Sequence, residues 1–588
     1  MPRLPLALLC FLAGCQGCPA SDDSEPEGDA DADTDADTDT DADSDADSDA
    51  DSDTDSDADT DVEPTEYRWG HLDPYEQPEV WTEPAILEPG GTVTVHYRGR
   101  LAERSNLEVH HGFNGWNEVQ GLGDMIYEGS GDDPSWVRDT AMTPAGDGSW
   151  TASFDLPTDG RALHMVFHDP DADEWDNNDH RDFSGSFAVP YLGPYLTWSD
   201  EAQPASGVVV SFETSLPCRG VVEYGTTRSL GTPAVGASAG TMHHIALTGL
   251  EPGTTYYYKL WDSAGNGSEE YSFTTATTDA VDLTFLVMSD MQDTGEDNLW
   301  GHVAADIAAN HPEAVFALLP GDMPNQITPG QWWTFFDRGR DLFSWLPLVT
   351  SPGNHDTPGY SSSTDTSDYE HYFVNPTAVD EHGVFYSLDY GRVHLMSFNS
   401  EDRAACNPPD GEQAIWAEED VASVWDGGVR QPAWVFAQWH IPAYDVGSRH
   451  HYDSHEYRRL TVLLEGTVDW VFFGHEHLFQ RMSPIQNDAV AAPSGLYGIG
   501  PDDGVGYIVT PPAGNNPHDR VIADDDPDAA ELDLVAAPEI GDSVEVESEV
   551  GYLTVDVTAT SLRIRTWGLG TLEAPVDSWL RDELSYSR

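Results

Sequence analysis

At 588 residues the chain is too long for a single hydrophobic core, and three or four domains are expected. Its 39% apolar content and 19 tryptophans are ample material for those cores. A formal net charge of -81, from 106 acids against 25 Lys and Arg, argues against a nucleic-acid-binding surface, because phosphate backbones select basic ones.

The opening "MPRLPLALLCFLAGC" has one arginine and an apolar run from Leu4 that is too short to span a bilayer, and it reads as an export signal. Within it "LAGC" (Leu12–Cys15) resembles the bacterial lipobox, which implies lipidation of Cys15 and assigns residues 1–18 to the signal and its flank. By the same resemblance Gln16 implies an outer-membrane lipoprotein, at the periplasmic face or the cell surface. An ordinary signal with an incidental cysteine is the alternative. No other stretch is apolar over the ~18 residues of a membrane span, so membrane contact is expected through a lipid anchor only. From Asp29 to Asp61 every odd position is Asp, interleaved with Ala, Thr and Ser, a run with no large apolar residue to offset the entropy of ordering, and residues 19–64 read as an extended acidic spacer. The cysteines indicate no disulfide framework.

Residues 65–190 read as all-β: "GGTVTVHYRGR", "LEVHHGF", "WTASFDLP" and "ALHMVFHD" are short alternating runs bounded by turn residues. "HHGFNGW" (His110–Trp116) and "WDNN" (Trp175–Asn178) concentrate rings and amides, and the region resembles starch-binding carbohydrate modules. That resemblance implies an α-glucan or other polysaccharide as partner, with His110, Trp116, Trp175 and Asn178 at the sugar site; the other reading makes both tryptophans core residues. Residues 191–277 form a second β-unit, and "HHIALTGLEPGTTYYYKLWD" with its spacing resembles fibronectin type III sandwiches. Such a domain precedes the catalytic domain of purple acid phosphatases.

From about Val281 the pattern becomes strand–helix, with helices expected in "NLWGHVAADIAANH", "GQWWTFFDRGRDLFSW", "EQAIWAEEDVASVW" and "HEYRRLTVLLEG". Five apolar strands in residues 281–588 end in metal-ligating types. "LTFLVM" leads to Asp290 and Gln292, "VFALLP" to Asp322, "LPLVTS" to Asn354, His355 and Asp356, "AWVFAQW" to His440, and "DWVFF" to His475 and His477. Ligands gather beyond the carboxyl ends of strands in α/β sheets, so these residues are expected in one cleft, with types that suit iron, manganese or zinc.

The order D…GD…GNHD…H…GHxH resembles calcineurin-like metallophosphoesterases, and with "YSLDYGRVHLMSFNSE" it is most similar to purple acid phosphatases. The implied fold is two all-β sandwich domains followed by an α/β metallophosphoesterase domain, a β-sandwich flanked by helices. The resemblance implies a two-metal centre that hydrolyses a phosphate monoester or diester with metal-activated water. One ion would be held by Asp290, Asp322 and His477, the other by Asp322, Asn354, His440 and His475. His355 matches the catalytic histidine, and Asp356 beside it is grouped with it. Arg449, His450 and His451 are candidates for the substrate phosphate. Two departures stand out: Gln292 occupies the third position of the usual DxH, and Asn325 the place of a tyrosine ligand. Gln292 is therefore a candidate ligand through its carbonyl, as is Asn325, with water the other occupant of that place, and the departure from the family's tyrosine implies a centre without a tyrosinate colour. An alternative of another class is a surface glycan-binding protein whose phosphoesterase-like domain is inactive.

Overall fold

The computed structural model describes residues 79–587, apart from 118, 124, 129–134, 179–181, 263–264, 280, 293–298, 360–362, 446–456, 492–503, 516, 518–548 and 572–573. The lipobox cysteine Cys15, the acidic spacer, and Arg449, His450 and His451 lie outside the described residues.

Alternation builds the first sandwich. In Thr92–Tyr97 (TVTVHY) every second residue is buried, so Val93, Val95 and Tyr97 face inward. Its sheet runs Val80–Glu83, Thr92–Tyr97, Trp150–Asp155, Thr143–Pro144. The second sheet runs Phe183–Ser186, Ala162–Asp169, Glu108–Phe113, Ser135–Ala141, Ile126–Glu128. Val109, Phe113, Phe154, Leu163 and Phe167 join the inward residues in one core. The next unit pairs a three-stranded sheet (Leu192–Thr197, Gly207–Cys218, Gly240–Thr248) with a four-stranded one centred on Thr255–Trp261. Tyr256, Tyr258 and Leu260 of the "TYYYKLW" strand point into its core.

The remaining chain forms two six-stranded sheets. In the first, β1 (Leu283–Val287), β2 (Ala314–Pro320) and β3 (Leu348–Ser351) are parallel neighbours. In the second, β4 (Val393–Ser397), β5 (Trp434–Gln438), β6 (Trp470–Phe473) and β7 (Gly506–Val509) are parallel. These strands are buried on both sides, which is why they read as continuous apolar runs rather than alternating ones. The sheets meet face to face through Phe285, Phe316, Trp434, Phe436, Trp470 and Phe472. The four expected helices are present: α1 (Leu299–Asn310), α2 (Pro329–Phe343), α3 (Glu412–Ser423) and α4 (Arg458–Leu464). A short helix, Ser367–Tyr372, was not legible, as its six residues hold no full amphipathic repeat.

α2 is also where the amino-terminal sandwiches dock. Arg161 reaches Asp337 at 2.6 Å and lies over the Trp333 ring. Trp333 donates its indole N–H to the Tyr191 carbonyl at 3.2 Å, and Tyr195 stacks on Phe336. Tyr258 donates to the Ser344 carbonyl that closes the helix, at 2.6 Å. Among the described residues no helix is long and apolar enough to cross a membrane, and Cys218 and Cys406 are buried.

Candidate metal centre

The five donor-bearing strands are divided between the two sheets, β1, β2 and β3 in one, β5 and β6 in the other. Their carboxyl ends share one rim of the sandwich, so the donors meet across two sheets rather than along a single open one. The chain turns sharply at each end. Asp290, Asp322, His475 and His477 have φ of 55°, 57°, 74° and 50°, a left-handed region that side-chain-bearing residues seldom adopt. Close packing makes the accompanying glycines necessary. A Cβ on Gly474 would collide with Ser289 and Asp290, and one on Gly353 with the Asp322 carboxylate.

His440 Nε2 lies 3.2 Å from Asp322 Oδ1, 3.1 Å from Asn354 Oδ1 and 3.3 Å from His475 Nδ1. His475 Nδ1 is 3.0 Å from the same Asn354 oxygen, and His477 Nε2 is 3.3 Å from Asp290 Oδ1. Ligand atoms of Asp290, Asp322 and His440 all lie within 4.8 Å of one another. The tautomer matters here. His440 donates from Nδ1 to the Pro320 carbonyl at 2.9 Å, so neutral His440 turns a lone pair on Nε2 toward the oxygens of Asp322 and Asn354. In the metal-free centre a proton on Nε2 bridges these contacts, a place that a metal ion can take from it, and the donor set of two carboxylates, one amide oxygen and three imidazoles fits iron, manganese or zinc.

The electrostatics agree. Burial alone would raise the pKa of both aspartates, yet His477 holds Asp290, and His440 with His355 holds Asp322, below the ordinary carboxylate range. Burial alone would lower His440, yet the Asp322 charge and hydrogen bond carry it up to about 10. The pocket thus keeps its carboxylates ionised and calls for positive charge at their centre.

Two expected site residues are engaged in other contacts. Asp356, grouped with His355 as catalytic, spends both oxygens on backbone N–H groups. It accepts from Asp322 at 2.8 Å, Met323 at 3.0 Å and Gly353 at 2.7 Å, clamping the GD loop to the GNHD loop. Gln292, expected to offer its carbonyl, instead donates its amide to Asp322 Oδ2 at 2.6 Å, while the carbonyl accepts from Asn515. Asn515 carried no signal, since it follows β7 with no strand-end motif of its own. At Asn325 it is the backbone carbonyl that is engaged, accepting from His355 Nδ1 at 2.6 Å.

In the first sandwich His110, Trp116 and Trp175 come together. The His110 ring lies 5.7 Å from Trp116 and 5.4 Å from Trp175. They line a cavity of about 280 Å³ with Asn177 and Asp182. Trp116 donates to Asp182 at 3.0 Å, and burial pushes the Asp182 carboxyl up to about 7. Asn178 does not line this cavity. Its amide bonds the Asp182 carbonyl at 2.8 Å and shapes the loop, so Asn177 takes the place expected for it. Trp175 is 39% exposed, with one face stacked on His168 at 3.9 Å. Trp116 instead packs on the bare Cα of Gly330 in the first turn of α2, where a Cβ would approach its ring to 2.7 Å.

Comparison with known proteins follows the same division. Residues 283–479 match the calcineurin-like phosphoesterase model, and the chain carries a domain of that class. Residues 193–275 match the purple acid phosphatase N-terminal domain, directly ahead of the phosphoesterase match. Purple acid phosphatase 21 of Arabidopsis thaliana is 27% identical over 257 residues, covering 42% of this chain and 55% of its own. Acid phosphatase type 7 of Mus musculus is 26% identical over 338 residues, covering 52% and 74%. The chain spans little more than half the length of the first curated relatives it matches, 55% and 59%. A purple acid phosphatase from yellow lupin seeds shares the fold, with a TM-score of 0.56 at 15% identity over 87% of this chain and 96% of that one.

Proposed function

We propose that the protein is an exported, lipid-anchored phosphoesterase that hydrolyses phosphate monoesters or diesters at a dinuclear centre of iron, manganese or zinc. The observation that carries this reading is the convergence of six metal-ligating side chains on one buried centre, four of them on left-handed backbone. Such strain costs about 1–3 kcal/mol per residue, and a protein without metals would gain nothing by keeping it. That weighs against the alternative of a surface glycan-binding protein with an inactive phosphoesterase-like domain.

Asp290, Asp322 and His477 would hold one ion, and Asp322, Asn354, His440 and His475 the other. When bound, the pair supplies Lewis acidity toward water and the phosphoryl oxygens. Asp322 accepts the His355 backbone N–H at 2.9 Å, which fixes that loop beside the ligands. With Nδ1 committed to the Asn325 carbonyl, Nε2 is the His355 nitrogen presented to the phosphoryl group, where it would protonate the leaving oxygen or steady the charge developing there. Asp356 acts as a positioning residue through its three backbone bonds. Arg449, His450 and His451 would meet the substrate phosphate.

The first sandwich is read as a glycan-targeting module, with His110, Trp116 and Trp175 around an α-glucan or other polysaccharide. Export through the amino-terminal signal and lipidation at Cys15 would place the enzyme at the outer membrane. The test is hydrolysis of p-nitrophenyl phosphate and of its bis ester, before and after chelation. Turnover abolished by chelation and restored by added metal is expected, and no metal-dependent turnover of either ester would remove the phosphoesterase reading.

A further inference from the structure

Asp322 is the donor that both metal positions share, and its two oxygens stand in different surroundings. Oδ1 faces His440 Nε2 at 3.2 Å and accepts the His355 backbone N–H at 2.9 Å. Oδ2 accepts the Gln292 amide at 2.6 Å. Gln292 is fully buried, and a side-chain amide presents either its nitrogen or its oxygen to a neighbour. In the structure the Asn515 amide donates to the Gln292 carbonyl, and the Gln292 nitrogen is turned to Asp322.

Asn515 is itself held by backbone. Its N–H and that of Gly514 both donate to the Asp290 carbonyl, at 3.0 and 3.1 Å, and the Ala513 N–H donates to Ser289 at 2.8 Å. Gly514 lies so close to the end of β1 that a Cβ would reach 2.5 Å from the Met291 carbonyl oxygen. The segment after β7 is therefore laid along the strand end that carries Asp290.

We propose that Asn515 and Gln292 are a positioning pair that selects which oxygen of Asp322 the metals share. An N–H donor on Oδ2 withdraws that oxygen and presents Oδ1 to the cluster. The position that the DxH pattern would give to a ligand is used in this chain to aim one. Loss of such an orienting partner typically costs ~10–100-fold in metal affinity. This inference rests on the metal-dependent reading above.

The test is calorimetric titration of the chelated full chain with Mn²⁺. Asn515→Asp keeps the shape but reverses the polarity, so that Gln292 would donate to the new carboxylate and turn its carbonyl on Asp322. A loss of ~10–100-fold in Mn²⁺ affinity is expected, with the melting temperature of the metal-free protein unchanged. Gln292→His removes the amide that Asn515 orients, and in that background Asn515→Asp is expected to have no further effect. Asn515→Ala, which adds no charge, gives the same direction of change if the aspartate variant folds poorly. Parental Mn²⁺ affinity in both Asn515 variants overturns the proposal, as does an equal loss in the presence and absence of Gln292→His. No Mn²⁺ binding by the parent itself would show that the metal-dependent reading, and this inference with it, is wrong.

Discussion

At the sandwich rim, six donors from five strand ends are aimed by backbone: left-handed turns, bare glycines and the Asp356 clamp leave little to side-chain choice. In the first sandwich, by contrast, His110, Trp116 and Trp175 are aimed by one another and by a loop. Trp175 leans on His168, Trp116 on Asp182 and α2, and His110 on Asp139 at 2.8 Å. The first arrangement is cooperative, because each donor's place depends on two or three loops at once. The second is modular, because an exposed ring can be removed without moving its neighbours' backbone.

The largest expected effect tests the cooperative side. Asp322→Asn removes the shared charge on which both metal positions depend, and hydrolysis should fall by about a thousandfold or more, with metal content falling in parallel. Retention of both metals would show that the donors are not interdependent. His355→Ala should separate chemistry from metal binding. A loss of ~100- to 10,000-fold in kcat is expected with metal content unchanged, measured by single-turnover kinetics and metal analysis.

The modular side predicts smaller, cleaner losses. Trp175→Ala should abolish retention on insoluble α-glucan and leave hydrolysis intact, whereas Trp116→Ala should reduce retention and also loosen the docking on α2, read as a lower melting temperature. Equal retention of parent and Trp175→Ala would remove the pocket from glycan binding. The smallest effect lies away from both sites. Burial alone would lower His394, but Asp389 and Asp420, each 2.8 Å away, carry it up to about 9. A raised histidine stabilises fully below its unfolded value near 6.5 and loses that contribution as pH rises through 9. The stability advantage of the parent over His394→Gln should therefore be greatest near pH 6 and vanish by about pH 10 in denaturant titrations.

The legibility of the two sites in the sequence followed the same contrast. Apolar runs ending in GD, GNHD and GHxH were readable because a doubly buried strand leaves an unbroken apolar signature and a sharp turn leaves a glycine. The sandwich was expected from the resemblance, but which strand joins which sheet was not readable, because a buried strand carries no mark of its partner. Gln292 was placed correctly in space and assigned the wrong atom, since nothing local reveals that Asn515, 223 residues away, would hold its carbonyl. In the sandwich, Asn177 and Asp182 were missed because a loop's exposed face depends on its turn geometry, which residue types alone leave open.

The account's central claim is that Asp322 lies between two cations. Anomalous diffraction from crystals of the metal-loaded full chain tests it most directly. Two peaks roughly 3.5–4 Å apart, one on the Asp290 and His477 side of Asp322 and one beside Asn354, His440 and His475, are expected. Peaks elsewhere, or none at this rim in protein that contains metal by analysis, would contradict it.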